Sequence, residues 1–121
     1  MLTVHAYIEV TDLQRGIEFY FGGLGLTQRR QLGPRWVELS GANLPIFLLA
    51  DRPAVAELGA TRVQRNFGRH WTPVHVDFIV ANLDEMVARL CGLGARSIVK
   101  YRSVNTAAWL TWLTHSGTAS I

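Results

Sequence analysis

Two stretches of the chain alternate apolar and polar residues with a period of two, and each runs straight into an apolar stripe at helical spacing. In the first, Val4, Ala6, Ile8 and Val10 share one face, and His5, Tyr7 and Glu9 share the other. In the second, Val74, Val76, Phe78 and Val80 oppose His75, Asp77 and Ile79. Period-two alternation marks a half-buried strand. The apolar face needs a helix over it; the other face carries both histidines. The covering helices follow at once. Asn82 is placed to cap one of them, with Glu85 at the third helical position completing a capping box. Leu83, Met86, Val87 and Leu90 form its apolar stripe. Asp12 caps the other, and Leu13, Ile17 and Tyr20 give it a weaker stripe. The glycines at 22, 23 and 25, and at 92 and 94, are expected to end these helices in left-handed backbone. They follow the helices, so they are not a phosphate-cradling loop.

The two stretches are copies of one another. His5 and His75 stand 70 positions apart, and at that offset Val, His, an apolar residue, Val and Leu recur, with Asp12 answered by Asn82. Each copy leads to a Gly-Leu-Gly, at Gly23-Leu24-Gly25 and Gly92-Leu93-Gly94. Self-similarity on this scale indicates two copies of one supersecondary unit. Further strands are predicted near 26–32, 35–41 and 44–50, parted by turns at Gly33-Pro34 and Gly41-Ala42-Asn43. Residues 51–70 read as a linker with a short helix at Ala54–Leu58. Strands near 95–102 and 106–113 follow the second helix. The pattern is βαβββ and then βαββ: an α+β fold of tandem modules, the second lacking its last strand. The whole reads as one domain, 1–121, with module one at 1–50, the linker at 51–70 and module two at 71–121.

Composition narrows the setting. Of 121 residues, 49% are apolar and 17% charged, a balance that supports a buried core without disulfides. Cys91 is the only cysteine, so no intrachain disulfide forms. Its position beside Leu90 suggests inert core. The N-terminus lacks a signal-peptide layout, and no apolar run reaches the ~20 residues of a membrane span. A cytoplasmic protein with no membrane partner is expected. The net charge is +3, carried mostly by scattered arginines with no basic stripe interleaved with aromatics, which argues against nucleic acid as a partner.

The strand that opens with His5 and runs to Asp12-Leu13, the helix ending in Gly-Leu-Gly, and the second His-led copy resemble the vicinal oxygen chelate superfamily. That group includes glyoxalases, bleomycin-resistance proteins and ring-cleaving dioxygenases. The resemblance covers about residues 3–102. It implies that the tandem βαβββ modules curl into a cupped mixed sheet holding a divalent metal or a ligand, usually in a homodimer. The first-strand metal positions of the two modules fall on His5 and His75, and imidazoles with carboxylates suit zinc, iron, nickel or manganese. The last strand of module one, Leu44–Leu49, has no acid where many relatives carry glutamate, and the chain ends at Ile121 without the second one. Glu9, Glu38 or Asp77 are the available substitutes, although solvent exposure is the default for Glu38 and Asp77. The alternative for both histidines is an ordinary hydrogen-bonded or hydrated place on a sheet face.

Two classes of function follow from the resemblance. One is a metal-dependent lyase, isomerase or dioxygenase acting on a small oxygenated substrate, its catalytic residues not identified by spacing. The other is a non-catalytic protein that sequesters a small molecule, or an inactive relative with an incomplete metal site. For either, Tyr7, Trp36, Phe47 and Asp77 are the candidate ligand-binding residues, an aromatic-lined hollow being what a small apolar ligand requires. Cup or dimer packing is the alternative reading for Trp36 and Phe47, and for Trp71 as well.

The C-terminus departs from the resemblance in one informative way. The superfamily commonly closes with a stretch like Ala-Asp-Pro-Phe-Gly-His-Gly-Phe before its last strand. Back-translation of this chain read one frame away permits that string: Trp112 with Leu113 yields alanine, and Leu113 through Ser120 permit the remaining seven residues in order. The expectation is a frameshift near Ser103–Asn105, which leaves Thr106–Ile121 outside the family pattern and His115 without a family role. Sequencing the coding DNA checks it. The neighbouring frame is expected to encode the string, and a different product there ends the idea.

Overall fold

A computed structural model describes residues 1–50, 55–67, 73–74, 76–97 and 112–113. The elements run β1 (Ala6–Glu9), α1 (Leu13–Glu18), a π-helical turn (Phe19–Gly23), β2 (Thr27–Gln31), β3 (Trp36–Ser40) and β4 (Ile46–Leu49). Then come β5 (Val55–Leu58), β6 (Thr61–Gln64), α2 (Leu83–Gly92), β7 (Arg96–Ser97) and β8 (Trp112–Leu113). The first four strands form one mixed sheet in the order β1-β4-β3-β2, with β1 parallel to β4 and the other pairs antiparallel. This is one βαβββ unit: the α1 crossover returns the chain so that its last strand lies beside its first.

The predicted alternation decides which side of the sheet is covered. Ile8 and Val10, Val37 and Leu39, and Ile46 and Leu48 are all buried on the helix side, together with Phe19, Tyr20 and Leu26. Each large apolar side chain buried this way contributes roughly 1.5–3 kcal/mol. Burial also pushes the Tyr20 phenol far above its ordinary titration range, so it stays neutral. β2, at the sheet's edge, is exposed along its whole length and carries Gln and Arg, which discourages further strand pairing.

Both helices start where the caps predict. Asp12 Oδ1 accepts the Arg15 N–H at 2.9 Å, and Asn82 Oδ1 accepts the Glu85 N–H at 3.1 Å. The capping box is only half made, because Glu85 takes its hydrogen bond from Asn82 Nδ2 at 3.4 Å. Gly25 and Gly94 end the helices with φ of +73° and +93°. Gly22 and Gly23 do something else, because both lie within the π-helical turn. Gly23 faces α2 so closely that a Cβ there would fall inside the contact distance of Leu90 Cδ2.

The second half joins the same core. Leu83, Leu90 and Ala95 are buried within it, and Val76, Phe78 and Val80 pack against it. Asp77 and Ile79 point outward, so the alternation holds. The predicted strand does not: residues 76–80 are in no strand. Alternation reports one-sided burial, and packing on the helices satisfies it without a neighbouring ladder. Of the strands expected near 95–102 and 106–113, β7 and β8 pair over two residues, and 98–111 lie outside the described residues.

Two other expectations are corrected. The helix expected at Ala54–Leu58 is a strand over 55–58, paired with β6 around Gly59, whose φ of +62° suits a tight hairpin turn. Cys91 is exposed: one residue beyond Leu90, it is rotated about 100° off the buried stripe.

The two adjacent glycines give a paired stability prediction. Gly23→Ala drives its methyl into the buried Leu90, an overpacking cost of about 1–3 kcal/mol. A Cβ at Gly22 meets only Leu93, at an ordinary 3.4 Å, so Gly22→Ala gains up to about 1 kcal/mol of helix propensity. Urea denaturation is expected to move the two midpoints in opposite directions.

Candidate functional site

On the helix-free face, β1, β4 and β3 place three aromatic side chains together. Tyr7 pairs with Phe47 across the parallel ladder, and their rings stack at 4.9 Å with 13° between planes. Trp36 closes on both, with ring centroids 6.1 Å from Tyr7 and 5.8 Å from Phe47. His5 joins from just before β1, 5.2 Å from Phe47. Phe47 is the floor of this platform, 3% exposed, and Tyr7 is its open surface, 54% exposed. The Trp36 Nε1 donor is buried with no acceptor among the described residues; such a group costs about 1–3 kcal/mol if left unpaired.

The next position across the sheet is charged. Phe47 pairs with Glu38, and Glu38 pairs with Arg30 on β2. A β-bulge between Gln28 and Arg30 inserts Arg29 as an extra residue, so two consecutive arginines reach one carboxylate. Arg29 Nη1 donates to Glu38 Oε1 at 3.0 Å, and Arg30 Nε donates to Oε2. Glu38 is 2% exposed, where strand carboxylates are ordinarily solvated. The Arg30 hydrogen bond, reinforced by Arg29 and opposed by desolvation, holds the Glu38 carboxyl below its usual range. At the other end of the platform Glu9, also on this face, pairs with Arg65 beyond β6, which pins the base of the β5–β6 hairpin to β1.

The structure therefore gathers His5, Tyr7, Trp36 and Phe47. Asp77 is exposed and lines a cavity of about 460 Å³ with Leu24, Leu26, the Gly41–Asn43 turn and Phe78–Val80, none of which belongs to the platform. His75 and Trp71 lie outside the described residues. Arg29, Arg30 and Arg65 were missed by sequence reading. The adjacent arginines were visible as a pair, but the bulge that turns both toward Glu38 has no signature there.

The donor set bears on a metal. Among the described residues no three His, Cys, Asp or Glu side chains gather in a way that could hold an ion. The carboxylates on this face, Glu9 and Glu38, are engaged by arginines, and His5 has ring neighbours. The described residues do not fit a metal centre.

The sheet topology, the crossover helix and the repeat now meet an independent finding. The profile of the glyoxalase-like domain matches residues 5–110. The chain belongs to the glyoxalase-like domain family, within the vicinal oxygen chelate superfamily. No curated protein matches it significantly. The match spans both halves of this glyoxalase-like domain and stops short of its last residues. Among the described residues no helix is long and apolar enough to cross a membrane.

The Glu38 cluster predicts a pH dependence with a definite sign. A depressed carboxyl pKa contributes stability that is fully present above the ordinary value of 4.5 and is lost as pH falls through the folded-state value. An NMR titration of the Glu38 carboxyl is expected to give a midpoint below 4.5. A midpoint at or above that value removes the ion-pair account.

Proposed function

We propose that this glyoxalase-like domain binds and sequesters a small planar molecule on the aromatic platform. The observation that carries the reading is the Tyr7–Phe47 stack, flanked by Trp36 and open to solvent on the Tyr7 side. Offset stacking on such rings contributes about 0.5–1.5 kcal/mol beyond the area it buries. The platform rests on strands, which hold ring positions more firmly than loops do. Nothing in the binding step needs a nucleophile or a proton acceptor. The arginine-bound Glu38 is a poor general base, because a carboxylate held ionised by guanidinium has little affinity for a proton. This favours sequestration over a lyase, isomerase or dioxygenase.

The test uses Tyr7, because its exposure lets it be truncated with little harm to the fold, whereas buried Phe47→Ala costs about 3–5 kcal/mol. Calorimetric titration with a naphthalene-ring probe is expected to show saturable binding that chelator leaves unchanged. Tyr7→Ala should weaken it about tenfold, the equivalent of roughly 1.4 kcal/mol. Binding that disappears with chelator and returns with a divalent ion would favour the metal-dependent reading.

A further inference from the structure

We infer that the ligand of the platform is an anion: a planar ring bearing a carboxylate or a similar oxyanion, held with its charge toward Arg29 and Arg30. This rests on the platform being a binding surface at all, and it adds the charge of what binds.

The argument begins with a row across the sheet. Tyr7, Phe47, Glu38 and Arg30 are successive cross-strand partners, so ring surface passes directly into charged groups within a few strand spacings of about 4.8 Å. Two guanidiniums meet one carboxylate there, leaving one positive charge in excess beside the rings. The carboxylate is the buried member, 2% exposed, while the Arg29 and Arg30 side chains are 65% and 59% exposed. The charge that a ligand meets is therefore the arginines' own.

Geometry leaves donors to spare. Arg29 uses one Nη and Arg30 its Nε on Glu38. A guanidinium has five N–H donors in a planar fork suited to a carboxylate or another oxyanion. Glu38 then acts as a positioning residue, holding two flexible side chains at the border of the platform. A cationic ring would be repelled from the same border, and a neutral one would gain nothing from it.

The experiment compares 2-naphthoate with its neutral counterpart 2-naphthylmethanol on the full chain, by calorimetry or chemical-shift titration. The acid is expected to bind at least tenfold tighter at low salt, with the advantage shrinking as ionic strength rises. Arg29→Gln, which leaves Arg30 on Glu38, should lower naphthoate affinity about threefold or more and leave the alcohol unchanged. Arg30→Gln, which leaves Arg29 on Glu38, should act in the same direction, so the inference stays testable if either variant folds poorly. Equal affinity for the two probes overturns the anion inference alone. Binding of neither overturns the platform reading with it.

Discussion

The parallel pairing of β1 with β4 fixes both faces of the sheet in one step. Its register sets Ile8 beside Leu48 on the helix side and Tyr7 beside Phe47 on the open side. Because side chains alternate strictly, a slip of one residue would bury Tyr7 and expose Ile8. The core makes that slip prohibitive, so the energy that buries Ile8, Val10, Ile46 and Leu48 also holds the aromatic stack in place. Parallel strands need a crossover, and the crossover begins at the Asp12 cap. Gly16 allows it to sit close, since a Cβ there would already be 3.2 Å from Val10. Local capping, close helix approach and sheet register thus meet in one contact.

What the sequence made legible follows from that dependence. Period-two patterning reports which side of a strand is buried, and it set His5, Tyr7 and Glu9 on the face opposite Ile8 and Val10, as the structure has them. Trp36 and Phe47 join them through cross-strand register. The Asp12 and Asn82 caps were legible because an N-cap is a local interaction between residues three apart. Features that depend on distant neighbours were not. Glu38 reads as an ordinary exposed strand carboxylate until a bulge elsewhere brings two arginines to it. Residues 55–58 have no strong helical stripe, and the left-handed Gly59 beyond them makes a hairpin instead. Residues 76–80 alternate as a strand would, but one-sided packing is sufficient to produce that pattern.

Charge on the open face follows a consistent rule. Among the described residues each carboxylate there is matched by arginine, Glu9 by Arg65 and Glu38 by Arg29 and Arg30. Glu38 lies almost buried beside the rings, and its two guanidiniums favour the ionised carboxylate. Both carboxylates thereby take a structural task, Glu38 tying the β2 bulge to β3 and Glu9 tying the β5–β6 hairpin to β1. The rest of the described face presents ring surface, the His5 imidazole and guanidinium donors.

The second half contributes to this site from beneath. Leu83, Leu90 and Ala95 enter the core under the first sheet, and α2 meets the π-helical turn at Gly23, where only a hydrogen leaves room for Leu90. The anchoring residues all precede Ser103. Every described residue of the platform and of its support lies within residues 5–95.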